Sequence, residues 1–364
     1  MTLLNFHDNF HVELTGTAAA ESDLVRYYNQ LLTSKDANPN LTCTVENLDP
    51  SPHTMFGDPD RYYGVNDDGF IIKREYDGTA IISNDWNHIR FSDDGSKYFK
   101  SDILEYVVRK SFANEGSAMV HASGVRTNGT TIVFPAWRHT GKTNTLLTLL
   151  RDGGSYLSDD RLWLRNDGTA LGHPLPVNML SYNYDSFPGL GEEDQLRAYR
   201  RQISNFIHNK TVGKESFIYR AAYFTNKLYL EPPNTLCSVD ELFTGVDYLA
   251  QSSIDAIVFL QTSGTDDINL SEMEIDNFVE AMTAINYHEW NKGLEDHIHA
   301  QRVLDDTSNE YEAMEKLWKR EAEIFTEVAE SVPVYQLRVP REHNWTEEGV
   351  ANEIRSTLSP LIDE

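Results

Sequence analysis

The run Ala136-Trp137-Arg138-His139-Thr140-Gly141-Lys142-Thr143 carries the most specific chemistry in the chain. It fits the pattern G-x-x-x-x-G-K-[ST], with alanine at the first position. That spacing suits a phosphate-binding loop, because backbone N–H groups of the turn and of the following helix point at phosphate oxygens. The Lys142 ammonium would bridge the β- and γ-phosphates, and the Thr143 hydroxyl would ligate Mg²⁺. The expected nucleotide contacts run from Ala136 to Asn144. The plain alternative is an ordinary strand-to-helix turn, and Ala136 stands where glycine normally supplies an unusual backbone angle.

A second group follows at Asp159-Asp160, seventeen residues after Lys142. A helix of about ten residues leads about 15 Å away from the loop. A strand of four residues returns about 13 Å. The acidic pair therefore comes back to the phosphate end of the helix, where it can hold Mg²⁺ or accept a proton from a hydroxyl. Without the loop, a solvated pair would be the better reading in so acidic a chain. His121 lies upstream on an apolar strand, where a histidine is more often a core residue than a catalyst.

The elements that must position these groups are readable from periodicity and turn residues. A strand over 119–125, interrupted at Gly124, turns at Asn128-Gly129 into a strand over 130–134. The loop and a helix over 144–150 follow, then a strand over 155–158. Residues 162–171 read as a hairpin around Asn166-Asp167-Gly168. Ahead of this lies a hairpin-rich α+β region, residues 1–117. It has a strand near 11–14 and one helical face through Leu24, Val25, Tyr28, Leu31 and Leu32. Hairpin turns are expected at Asp68-Gly69, Asp77-Gly78 and Asp94-Gly95, and a helix through Ile103 to Phe112. The core region is 118–364, with a buried strand over 254–260, a charged helical segment at 265–331, a strand over 332–339 and a closing helix over 347–361 that Pro360 ends.

Composition bounds the rest. The 364 residues carry 57 acidic against 31 basic side chains, a formal charge of −26. Nucleic-acid binding as the main task is disfavoured, since phosphate contacts need a basic surface. The acids are spread along the chain and lysine is scarcer than arginine, which favours adaptation to concentrated salt over a merely repulsive face. No transmembrane stretch or signal peptide is visible, and Cys43 and Cys237 cannot build a disulfide framework. The expectation is a reduced cytoplasmic protein without membrane or nucleic-acid partners. Against this background the basic cluster Arg197, Arg200, Arg201, Lys210, Lys214, Arg220 and Lys227 would receive phosphates or pair with nearby acids. His297-x-His299, with His288-Glu289 upstream, reads more readily as a solvated helical face than as a metal site.

The run VHASGVRTNGTTIVFPAWRHTGKTNTLLTLLRDGGSYLSDDRLWL resembles the core of HPr kinase/phosphorylase and its relatives, a P-loop fold shared with phosphoenolpyruvate carboxykinase. A small-residue-flanked histidine, a Gly-turn hairpin, the loop, a helix and a strand ending in Asp-Asp occur in that order over residues 120–164. The resemblance implies an α/β, HPr-kinase-like core behind the α+β front. It implies Gly141, Lys142 and Thr143 on the phosphates and Mg²⁺, Asp159 as the catalytic base, Asp160 as the metal-linked acid, and His121 beside that base. Which aspartate takes which role stays open in the sequence. The family's Gly-x-Ser-Gly-x-Gly-Lys-Ser loop is replaced here by one with bulky Trp137, Arg138 and His139. Its later Glu-x-Arg-Gly signature is not recognisable, so HPr as substrate and phosphorylase activity are not implied.

The resulting expectation is an ATP- and Mg²⁺-dependent kinase. It would transfer the γ-phosphate to a hydroxyl of a small molecule or of a serine in a protein or peptide. Lys142, Asp159 and His121 form the catalytic set, and Arg138 is a candidate cation for the transferred group. The alternatives are a non-catalytic nucleotide-binding regulator or scaffold with a degenerate loop, and an interaction protein whose loop is vestigial.

Overall fold

Alternating apolar residues in the first ninety positions produce strands with one buried face, as in Phe10–Thr15 and Leu41–Glu46. The computed structural model describes residues 2–16, 23–35, 37–187, 190, 195–211, 217–226, 235–264, 267–340, 345 and 349–362. Within them the chain is mixed α/β with several sheets. The front sheet joins nine strands between Thr2 and Ser92. It is antiparallel except where Leu41–Glu46 lies parallel to Phe10–Thr15 and to His88–Ser92. Asp68-Gly69 and Asp77-Gly78 sit at hairpin connections, as expected. Asp94-Gly95 does not: it leads into the helix Lys97–Asn114, whose first turn is capped by the Ser96 hydroxyl accepting from the Phe99 N–H. The expected helix through Leu32 is also shorter. It ends at Tyr27, and Leu32 is exposed in a two-residue strand.

The second half carries two further sheets that share strands end to end. Ser117–Val120 pairs with Leu162–Arg165 in a four-stranded antiparallel sheet. Ala122–Thr127 pairs with Ser155–Ser158 in a six-stranded mixed sheet. Both chain segments thus pass from one sheet to the other side by side. One changes sheet at His121 and the other at Asp159–Arg161. The interruption expected at Gly124 is only a register shift; the strand actually breaks at His121. This double crossover sets the histidine beside the acidic pair.

The mixed sheet continues through Thr130–Pro135, Ala256–Ser263 and Val334–Pro340, all mutually parallel, with Asn269–Glu272 antiparallel on its edge. That edge strand lies inside the segment expected to be helical. The rest of the segment is the helices Ile275–Asn286, Lys292–Leu304 and Glu310–Ser331, with a π-helical turn Tyr287–Asn291 between the first two. Pro360 sits within the closing helix Val350–Ile362 rather than ending it.

The hydrophobic cores explain how the halves hold together. Phe6, Phe91 and Phe112 share one core with Met119, Trp163, Trp290 and Met314. Phe112 stacks on Trp163 at 4.2 Å. A buried ion pair reinforces this seam, with Arg109 donating twice to Glu321 at 2.9 and 2.7 Å. A second core lies between the mixed sheet, the helix Lys142–Arg151 and the closing helix. Cys43 and Cys237 are buried and share no disulfide.

Candidate functional site

The loop follows directly from the strand Thr130–Pro135. Ala136 continues as extended backbone bridged to Leu260, so the first loop position needs no glycine here. The tight geometry falls instead on His139, with φ 61°, and Gly141, with φ 93°. A side chain at Gly141 would place its Cβ 2.4 Å from the Trp345 ring. Gly141 caps the helix Lys142–Arg151 without any side-chain hydrogen bond. The first N–H groups of that helix therefore have no capping side chain.

The bulky loop residues turn away from this point. Trp137 tilts onto His288 at 5.0 Å between ring centres. Arg138 donates from Nε to Glu289 at 2.6 Å, with Glu289 almost fully covered. Both partners belong to the π-helical turn, whose wide register brings neighbouring side chains to one side. Thr140 closes the loop by donating its hydroxyl to the Trp137 carbonyl.

Lys142 is buried and lies 2.6 Å from His121 Nε2 and 3.2 Å from Asp160 Oδ1. His121 Nδ1 lies 2.6 Å from the Ala136 carbonyl oxygen. A carbonyl only accepts, so Nδ1 carries the proton and Nε2 accepts from Lys142. Asp160 lies 3.0 Å from the same Nε2, and Arg161 approaches its other oxygen at 3.6 Å. The surroundings desolvate Asp160, but the Lys142 ammonium beside it outweighs this and holds its carboxyl far below the usual range. Its side chain remains 44% exposed toward the cleft.

Asp159 has the opposite character. It is buried, and its Oδ1 has no hydrogen-bond partner. Burial pushes its carboxyl up to about 6, against the pull of Lys142 and the Thr143 hydroxyl and with the Asp160 charge adding to the rise. Adjacent carboxyls with environments this different are suited to different tasks.

A cleft of about 460 Å³ opens over these groups, within the range of small-molecule sites. It is lined by His121, Lys142, Thr143, Asn144, Asp159 and Asp160, and by Trp137, Arg138, His139 and Gly141 of the loop. Ala136 and Thr140 are buried supports outside the lining. The opposite wall is formed by Tyr98, Asp102, Arg161, Asn183, Glu289 and Trp290, of which the sequence reading named only Glu289, and that beside a metal-site pattern. Asn183 donates to the Asn144 side chain at 2.7 Å and so steadies the helix start. Arg161 also carried a local signal, as the basic neighbour of the acidic pair.

The remaining candidates fall elsewhere. Arg200, Lys210 and Arg220 sit on the helices Gln195–Thr211 and Phe217–Thr225 and do not line the cleft. The side chains of Arg197 and Arg201, with Lys214 and Lys227, lie outside the described residues. His297 is buried, not solvated, against Tyr63 and Arg74, and burial lowers its pKa to about 3. His299 is exposed beside Glu295. Among the described residues no group of three His, Cys, Asp or Glu side chains could hold a metal ion, and no helix is long and apolar enough to cross a membrane. No family model matches the chain, and no curated protein matches it in sequence.

Proposed function

We propose that this protein is an ATP-dependent phosphotransferase that moves the γ-phosphoryl group to an alcohol. One observation carries the reading: a buried lysine and a buried aspartate with one oxygen unpartnered meet at a helix start whose N-cap is a glycine. The order of strand, loop, helix, strand and Asp-Asp supports the HPr-kinase-like P-loop core that the resemblance implies.

In this reading the helix N–H groups and Lys142 bind the nucleotide phosphates. Lys142 exchanges His121 and Asp160 for phosphate oxygens, and its charge offsets that of the transferred group. Asp159 takes the proton of the acceptor hydroxyl. That oxygen bonds to the γ-phosphorus as the bond to the ADP oxygen breaks, leaving a phosphate monoester and ADP. His121 orients Lys142. Oxygens of Thr143 and Asp160, both in the cleft lining, would suit Mg²⁺, which typically takes one or two protein ligands alongside substrate phosphates. The ion would contribute neutralisation of phosphate charge.

The test is a thermal-shift titration with Mg-ATP on wild type and Lys142→Ala, followed by an acceptor screen. Binding at a hundredfold excess over Kd stabilises by about 2.7 kcal/mol. Loss of the shift in Lys142→Ala is the expected result. No shift in a folded wild type would overturn the proposal. Binding without transfer to any acceptor would leave a nucleotide-binding regulator.

A further inference from the structure

The strand Val177–Met179 pairs with Thr235–Cys237, so the residues between them begin and end side by side. Within this insertion the helices Gln195–Thr211 and Phe217–Thr225 pack on each other. Asn226, just beyond the second helix, fastens them by donating its side-chain amide to the Ser204 carbonyl at 3.1 Å. Among the described residues, no side chain of either helix joins a hydrophobic core. The pair is an arm held against the body, not a layer of it.

The arm differs in composition from everything around it. Residues 195–227 hold seven bases and one acid, Glu215, whereas the rest of the chain holds 24 bases and 56 acids. A net charge of +6 thus stands on a body of −32. Lys210 and Arg220 are exposed. Among the described residues, five of the fifteen exposed large apolar side chains also lie here. They are Tyr199, Phe206, Ile218, Tyr219 and Phe224, each between 40 and 75% exposed. Single exposed apolar residues are ordinary, but a group gathered on two packed helices marks a contact surface.

We infer that the arm docks on a second copy of this chain, each arm lying on the acidic body of its partner. Charge selects this arrangement. Two arms set face to face would oppose like charges, whereas an arm on the body of a partner meets its complement. Area points the same way. Five side chains of about 200 Å² each, a little over half exposed, offer roughly 600 Å². One arm on one body would bury roughly 1,200 Å² counting both sides, the lower edge of stable interfaces. A twofold exchange of arms doubles that area and closes the assembly as a dimer.

The experiment is sedimentation velocity on the full chain at concentrations up to about 100 µM, in about 0.1 M and about 2 M KCl. Wild type should sediment at twice the mass of one chain. Phe206→Glu with Phe224→Glu alters two exposed side chains, so its circular dichroism should match wild type while it sediments as a monomer. Lys210→Glu with Arg220→Glu should weaken dimerisation at least tenfold in the dilute salt, and much less in the concentrated salt, where charges are screened. A wild type that stays monomeric at every concentration overturns the inference. So does a dimer that the two phenylalanine replacements leave intact, which would place the contact elsewhere. A charge-reversed variant that dimerises like wild type in both salts overturns the placing of arm on body. A monomer that cosediments with phosphatidylglycerol vesicles overturns the inference in favour of a lipid surface.

Discussion

Nζ of Lys142 stands 2.6 Å from Nε2 of His121, and the far nitrogen of the same ring faces a backbone carbonyl. The imidazole thus bridges the strand end at Ala136 to the lysine at the helix start. Removing it leaves a buried ammonium with Asp160 as its remaining hydrogen-bond acceptor here. His121→Ala should destabilise by about 1–3 kcal/mol in denaturant titration. Combined with Lys142→Ala, the two losses should fall short of their sum by about 1 kcal/mol. Simple additivity would show that the contact contributes nothing.

Asp159 gives a pH-dependent stability of defined sign. Its folded pKa is about 6, against about 3.9 in an unfolded chain. Between those values the folded state holds the extra proton, so stability falls as pH rises through the window. Asp159→Asn removes that penalty. It should be more stable than wild type at neutral pH by on the order of 1–3 kcal/mol. The gain should shrink below pH ~6 and vanish below pH ~4. The same variant should bind Mg-ATP and fail to transfer phosphate. A stability difference independent of pH would show that Asp159 ionises normally.

Gly141 meets two constraints, a φ of 93° and a Cβ position 2.4 Å from the Trp345 ring. Gly141→Ala should cost about 2–4 kcal/mol, part strain and part overpacking. Trp345→Phe in that background should recover the packing part alone. Full recovery would mean that the backbone angle carries no cost.

Arg109 and Glu321 are both about 97% covered or more and join the helices Lys97–Asn114 and Glu310–Ser331. Glu321→Ala should cost about 3–5 kcal/mol, because it strands a buried guanidinium. The double replacement Arg109→Met with Glu321→Leu should be far milder. Equal losses in both would locate the cost in packing rather than charge.

A net charge of −26 predicts that salt stabilises the fold. In about 2 M KCl, screening falls to a few ångströms, so like-charge repulsion is suppressed. The melting temperature should rise clearly from that in about 0.1 M KCl. A flat response would remove the high-salt reading.

The local parts of the site were open to sequence reasoning. The strand Thr130–Pro135, the helix Lys142–Arg151 and the strand Ser155–Ser158 follow from periodicity and turn residues, and their lengths return Asp159 and Asp160 to the loop. What stayed hidden depends on partners. That the chain breaks at His121 follows from which sheet each strand joins, and Gly124 looked the better breaker. Glu289 reaches Arg138 because a helix widens by one residue per turn at Tyr287–Asn291, which amphipathic spacing does not announce. Asp102 looked like any other acid on a charged helix. The dipeptide Asp94-Gly95 misled because the same residues also suit the approach to a helix.

Trp345, seated against Gly141, comes about two hundred positions later in the chain. The loop's own strand pairs in parallel with Ala256–Ser263, which in turn pairs with Val334–Pro340, and both are also made late. During synthesis the loop over residues 136–143 therefore leaves the ribosome long before its supports exist. Domains fold as units behind the emerging chain, so this loop can take its final shape only once the chain through Trp345 is free. A nascent chain stalled short of Trp345 would carry every residue from Ala136 to Thr143 and still lack the ring that floors Gly141.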